Sequence, residues 1–381
     1  MKKRVVSIIL AGALVVSMGA MAGCGSSSDD TSGDDTTSTA AETTDSSAEE
    51  ETDSTAESGT GEYDLSSLDD GEVYTLTVQS HDPENSATGT FLNDWAEAVE
   101  EASEGHLEID VYHGATLGGA KDTIDMIQNG TCDIGWGLQS FFSDVFPVTE
   151  VFMLPLLDIE TTIQGSTAIW DFYNTTDYMD DEYSDYHVLL LHTNCQSPIS
   201  TVSTKIESVS DLQGMQLRGN SGPPTDFIED LGANPVSVAI NDLYSNLDKG
   251  TLDGCITDWH AISSFSLDET ISYYLDEDLG VSTYFLLMNT DSYDGLPEVL
   301  QQILDDVSSD SIQYTSAWDD VQAEIKAEVA DKIYNLSDEE RANLEEIAAQ
   351  TTEDWIAEMD SLGYDGQAIY DAAIECIENA K

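Results

Sequence analysis

Apolar and polar residues alternate through the run at residues 73–78 (Val-Tyr-Thr-Leu-Thr-Val) from Tyr74 onward, and again over 107–111 (Leu-Glu-Ile-Asp-Val). Alternation of period two puts every second side chain on one face, so both runs predict half-buried strands. Between them, residues 91–102 repeat their apolar positions at helical spacing and close near Gly105. The pattern then gives a glycine-rich loop over 114–119, a helix over 121–128 capped by Asn129-Gly130, and a strand over 132–136. Residues 188–192 form a continuous apolar run, the mark of a strand buried on both faces, and lead into Thr193-Asn194-Cys195-Gln196.

The densest pattern lies between Asp211 and Trp259. Three short β-type runs (215–218, 235–238 and 253–257) alternate with two helix-type runs. The first helix follows Gly222-Pro223-Pro224 and stops at Gly232; the second starts at Asn241, a good N-cap, and stops at Gly250. Strand, helix, strand, helix, strand at this spacing predicts a right-handed parallel α/β unit. Ligands in such sheets sit at the carboxyl ends of strands, and Arg218 closes the first strand. From Pro297 onward, apolar residues from Leu300 to Ile333 keep a spacing of three, four or seven. One helix of roughly 35 residues would reach about 50 Å at 1.5 Å per residue. Helices over 338–362 and 367–380 end the chain.

The first 62 residues are of another kind. Met1-Lys2-Lys3-Arg4 is a basic start, residues 5–20 are apolar, and Met21-Ala22-Gly23-Cys24 resembles a bacterial lipobox with Met where Leu is usual. This predicts a signal peptide over 1–23, removed before a lipidated Cys24. Residues 24–62 are almost entirely Ser, Thr, Asp, Glu, Gly and Ala, too poor in apolar surface to offset the entropy of ordering, and predict a solvated tether. What remains is long enough for two domains.

Charge sharpens the picture. Against 76 Asp and Glu the chain has 11 Lys and Arg, three of them among the first four residues. Such a balance excludes nucleic acid as a partner. It also makes the two arginines beyond the signal segment informative. Arg341 follows the N-cap Ser337 in an acidic first turn and reads as a surface residue. Arg218 sits between Leu217 and Gly219-Asn220-Ser221-Gly222, where a guanidinium can fork onto a ligand carboxylate or pair with a neighbouring acid. No phosphate loop, nucleophile elbow or histidine pair at metal-ligand spacing occurs, so no catalytic residue, cofactor or metal is expected. Cys132, Cys195, Cys255 and Cys376 are scattered and read as free thiols.

Several ordered motifs resemble one family. Gly114-Ala115-Thr116-Leu117-Gly118-Gly119, the run from Met126 to Gly135, Leu154-Pro155-Leu156-Leu157, Gly214-Met215-Gln216-Leu217-Arg218, Leu231-Gly232-Ala233-Asn234-Pro235-Val236 and Gly250-Thr251-Leu252-Asp253-Gly254 are similar to the DctP-type substrate-binding proteins of TRAP (tripartite ATP-independent periplasmic) transporters. The resemblance covers about residues 72–335. It implies an α/β, two-lobed periplasmic-binding-protein-like fold with a hinge cleft and a long helix spanning both lobes. The first lobe would comprise 72–194 plus about 283–315, and the second 195–282 plus about 316–381. The implied protein is a monomer held outside the cell membrane that captures an organic acid and passes it to membrane transporter subunits. Arg218 matches the residue that clamps the substrate carboxylate. His81, Trp136, Gln139, Asn194, Thr257 and Trp259 are the further pocket candidates. Thr257 stands where the family usually has Asn, and the two tryptophans could sandwich an apolar or aromatic group. Two other readings use the same residues: a ligand sensor for a membrane receptor, and a secreted hydrolase built on His81.

Overall fold

The computed structural model of the chain describes residues 63–69, 71–219 and 222–381. The signal segment, Cys24 and the tether therefore lie outside the described residues. Two sheets form. The first has five strands, β1 (Tyr74–Gln79), β2 (Leu107–Tyr112), β3 (Ile134–Leu138), β4 (Tyr186–Thr193) and, much later in the chain, Thr283–Asn289. The second has six: β5 (Ile199–Thr201), β6 (Gln216–Arg218), β7 (Asn234–Val236), β8 (Gly254–Ile256), β9 (Tyr273–Leu275) and a final Ile333–Tyr334. In chain order the late strands are β10 (Thr283–Asn289) and β11 (Ile333–Tyr334). Strand order is β2-β1-β3-β10-β4 in the first sheet and β11-β9-β5-β8-β6-β7 in the second.

The expected parallel unit is present: β6 pairs in parallel with β7 on one side and β8 on the other. β10 returns to the first sheet and runs antiparallel between β3 and β4. This is why a run close in sequence to the second lobe belongs to the first. β3 is buried along its whole length, and Gly137 leaves room for the Phe285 ring of β10; a Cβ there would lie 2.4 Å from the ring.

Element boundaries depart from the apolar pattern where caps decide. The first helix is Ala87–Ala102, four residues earlier than its apolar stripe, because the Ser86 hydroxyl accepts from Gly89 N and fixes the start. The helix expected to begin at Asn241 is Ile240–Asp248; Ala239 occupies the cap, Asn241 is exposed, and the first turn buries Ile240. The long helix expected after Pro297 is a helical path in pieces, Glu298–Asp310 and Ser316–Glu328 joined by a 3-10 turn, Ser311–Thr315. Ser311, Thr315 and Ser316 hydroxyls there donate to carbonyls three residues back, competing with the α-helical ladder.

Two helical segments join the lobes. The first path carries Trp318, whose buried ring lies 5.4 Å from Phe91, 5.2 Å from His192 and 6.0 Å from His260, centroid to centroid. One apolar core thereby runs from β1 and the Ala87–Ala102 helix into β8 and the Trp259–Ser264 helix. The second is Asp338–Leu362, capped by Ser337 as expected. Leu344 and Ala348 pack in the second lobe, whereas Trp355 and Met359 pack in the first. The last helix, Gly366–Asn379, buries Ile369, Ala373 and Ile377 against the first lobe. Residues beyond about 355 thus pack with the first lobe, where the resemblance had implied the second. Arg341 is also not the loose surface residue its sequence setting suggested. Its guanidinium donates to Glu277 Oε2 at 2.8 Å and to the Glu277 carbonyl, tying this helix to the segment after β9. All four cysteines among the described residues are free, with Cys132, Cys195 and Cys255 buried.

Between the lobes, Glu150 of the first faces the start of the second-lobe helix Pro223–Asp230. Gly222 has φ +69°, and a Cβ on it would come within 2.4 Å of Glu150 Oε1. Burial pushes the Glu150 pKa up to about 8, the nearby Ser143 hydroxyl opposes this, and Asp226, Glu358 and Glu182 raise it further. Unfolded, the group titrates near 4.5, so between about 4.5 and 8 the native state holds a proton that the unfolded chain has released. Stability therefore falls as pH rises through that window. Glu150→Gln is expected to match the parent near pH 4.5 and to exceed it above pH 8, by a few kcal/mol at most at about 1.36 kcal/mol per pKa unit. Urea midpoints of both proteins at the two pH values check this; a gap that does not grow with pH would show that the carboxyl is not carrying the effect.

Candidate functional site

β6 ends at Arg218 in the middle of the second sheet's parallel unit, beside β8, so its side chain leaves the carboxyl end of the sheet and enters the space between the lobes. The residue is 2% exposed. Arg218 Nε donates to Val238 O and Nη1 to Thr257 Oγ1, each at 3.3 Å. No carboxylate pairs with it among the described residues, despite the acidity of the chain. Burial lowers the Arg218 pKa from its ordinary value, with Cys255, Asp258 and Tyr284 opposing. A guanidinium nonetheless stays protonated, so an unpaired positive charge is held out of water.

That charge faces a small interlobe cavity of about 30 Å³, far below the roughly 300–1,000 Å³ of ligand pockets, so the lobes must part to admit a ligand. The first lobe contributes His81, Asp82, Phe141 and Tyr284; the second contributes Thr257, Asp258, His260 and Phe265. Asp258 caps the Trp259–Ser264 helix by accepting from Ala261 N at 2.8 Å. Asp82 accepts from the Thr88 hydroxyl at 2.7 Å, and His81 Nε2 lies 3.6 Å from its other oxygen. A second space, also of about 30 Å³, shares Thr257, but Met153, Pro155, Phe227 and Leu279 make it apolar, and no charged group lines it among the described residues. Of the two spaces, the one lined by Arg218 carries a positive charge.

The remaining sequence candidates are placed less directly. Trp136 is buried at 1% exposure and stacks on Tyr284 with ring centroids 4.6 Å apart. Its Nε1 donates to His192 Nε2, while His192 Nδ1 lies 2.9 Å from Thr193 O. Those two contacts define a neutral imidazole, and burial depresses the His192 pKa to about 4. Trp136 therefore backs the wall that His81 and Tyr284 present. Trp259 is fully buried, with Tyr274 at 5.0 Å and Lys326 Nζ 5.4 Å over its ring. The two tryptophans do not face one another across the cavity. Gln139 is buried and donates to Tyr183 Oη at 3.3 Å, and it is Phe141, from the same 3-10 turn, that reaches the cavity.

Asn194 belongs to the crossing between the lobes. Its Oδ1 accepts from Ser282 N, its backbone N donates to Ser282 O, and its Nδ2 donates to Tyr284 Oη. Gln196 continues the same ladder, accepting from Gly280 N and donating to Ile159 O. Asn194 thus fixes the Tyr284 hydroxyl and the hinge together. Asp82, Asp258, His260, Phe141 and Tyr284 were not among the sequence candidates. The available signal was position: Asp82 follows the end of β1 and Asp258 the end of β8, immediately after two residues that were singled out.

Comparison with known proteins agrees with the two-lobed fold. Residues 78–359 match the family described as DctP, bacterial extracellular solute-binding protein, family 7. Among curated proteins, the outer membrane transporter protein TsaT of Comamonas testosteroni is 23% identical over 299 residues, covering 76% of this chain and 87% of its own. A TRAP solute-binding protein from a marine metagenome, specific for aromatic acids and bound to metahydroxyphenylacetate, is 26% identical with a TM-score of 0.76, covering 81% of this chain and all of its own. A TRAP solute-binding protein of Rhodoferax ferrireducens with copurified benzoate has the same identity and TM-score, over 81% of this chain and 98% of its own. The chain belongs to the DctP family of bacterial extracellular solute-binding proteins, the two-lobed receptors of TRAP transporters.

Proposed function

We propose that this chain captures a small organic acid between its lobes, with the carboxylate on Arg218, and hands it as a monomer to the membrane subunits of a TRAP transporter. The observation that carries this reading is a buried, unpaired guanidinium facing an interlobe cavity in a chain of formal charge −65. That overall field repels anions, so only a local charge out of water offers them a favourable seat. Thr257 fixes one arm of the guanidinium, and His81 and Tyr284 line the opposite wall. Aromatic acids are the first class to try, since two structural relatives hold them. A thermal-shift screen over carboxylic acids tests this; a ligand at 100 times its Kd adds about 2.7 kcal/mol of stability. A blank across mono- and dicarboxylates of this size would sink the reading.

Delivery to a membrane partner fits a lipid anchor at Cys24 and a tether over 24–62. Cys24→Ser is expected to move the protein from the membrane fraction into the medium. Deleting 25–62 from a soluble form is expected to leave ligand affinity within about twofold, because such a segment has no core to contribute. A Cys24→Ser protein that stays with membranes through a carbonate wash would instead make residues 1–23 a retained anchor.

A further inference from the structure

Taking Arg218 as the carboxylate clamp, the charges around it narrow the ligand class further. Among the described residues Arg218 is the one Lys or Arg lining the cavity, whereas Asp82 and Asp258 both line it, one from each lobe. They are 5% and 4% exposed. Each uses one oxygen internally, Asp82 Oδ2 for the Thr88 hydroxyl and Asp258 Oδ1 for Ala261 N. Among the described residues nothing donates a hydrogen bond to Asp82 Oδ1 or to Asp258 Oδ2. The nearest candidates for neutralising them are His81, with Nε2 3.6 Å from Asp82, and His260, with Nδ1 3.8 Å from Asp258. Neither distance is a hydrogen bond, and His81 Nδ1 and His260 Nε2 are themselves buried without partners.

A ligand carrying only a carboxylate would bring a third acidic group into this enclosure, against one guanidinium. We propose that the ligand is zwitterionic: its carboxylate seats on Arg218, and a protonated amino or amidinium group on the same molecule seats against Asp82 and Asp258. The enclosure then holds three carboxylates against two cations, where a bare acid would leave three against one. Because the two aspartates come from opposite lobes, the cationic group also draws the lobes together. Burial raises the Asp258 pKa, and proximity to Asp82 adds to it; a ligand cation relieves both. His81, which faces Asp82, His260, Trp136 and Phe141, has its pKa lowered mainly by burial, so near neutral pH it leaves Asp82 uncompensated.

Two matched pairs of probes test this on the whole protein: benzoate against 3-(aminomethyl)benzoate, and butyrate against 4-aminobutyrate. Calorimetry is expected to give the aminated member of at least one pair a Kd tenfold or more below its partner's. In Asp258→Asn, which keeps the helix cap because Asn caps as well as Asp, that preference is expected to shrink at least tenfold. Asp82→Asn, which keeps an acceptor for Thr88, is expected to do the same. Arg218→Ala should lose both members of the pair. If the bare acids bind as tightly as the aminated ones and still depend on Arg218, the organic-acid reading stands and the zwitterion is overturned. No binding of any of the four overturns the zwitterion, and a blank acid screen beside it overturns the organic-acid reading as well.

Discussion

Arg218→Ala is expected to weaken ligand binding by roughly 30- to several-thousand-fold. Removing one side of a buried charged pair costs about 2–5 kcal/mol, and each 1.4 kcal/mol is tenfold in affinity. The effect belongs at the large end because no other Lys or Arg lines the cavity among the described residues, and those left behind include Asp82 and Asp258. Arg218→Lys is expected to fail substantially as well. An ammonium would keep the charge but could not reach Val238 O, Thr257 Oγ1 and a ligand carboxylate in one planar fork. Calorimetry with the tightest acid from the screen decides between outcomes, with folding checked by thermal melting. Near-native affinity in folded Arg218→Ala would put the anion site elsewhere. Arg341 is a poor control for this experiment, since its ion pair with the buried Glu277 contributes to folding; Lys249, exposed and bonded only to Ser245, is a better one.

Trp318→Ala is expected to destabilise the fold by about 3–5 kcal/mol, the usual cost of emptying a large aromatic site in a close-packed core. The ring is 1% exposed and touches groups from both lobes, Phe91 and His192 on one side and His260 on the other. Its loss leaves a void where the two halves of that core meet. Trp318→Phe, which keeps an aromatic ring, is expected to cost well under half as much. Urea unfolding of the two variants measures this directly. A loss below about 1 kcal/mol in Trp318→Ala would mean that the lobes fold independently of the shared core.

Much of this architecture can be read from the chain, and the limits have physical causes. Alternation at β1 and β2 and the strand–helix rhythm around β6, β7 and β8 are direct images of which faces are buried. The interrupted helix at 311–315 is not visible in that way, because apolar spacing persists through the turn while serine and threonine hydroxyls alter the backbone ladder. Ile240 likewise enters a helix ahead of the better capping residue Asn241, since a cap is worth only about 1 kcal/mol and burying an isoleucine outweighs it. At the site, Arg218 is legible because cations are scarce. Asp82 and Asp258 are not, because they are two among 76 acids and meet only when the lobes do. The tryptophans show a third limit. Composition marks Trp136 and Trp259 as large and flat, but whether a ring lines a cavity or backs its wall depends on χ angles and neighbours such as His192 and Tyr274 that no local pattern encodes.

The helix Asp338–Leu362 holds a consequence for how such a protein opens. Its first half is moored to the second lobe by Arg341 on Glu277, Glu340 on Val209 N and Thr351 on Asp230, and its second half by Trp355 and Met359 in the first. A rod clamped at both ends resists angular displacement elastically, unlike a slack linker. Parting of the lobes must bend this helix or strip one mooring, so the gape is a flexure with a restoring force that pulls the jaws back toward each other. Ligand release then works against a spring.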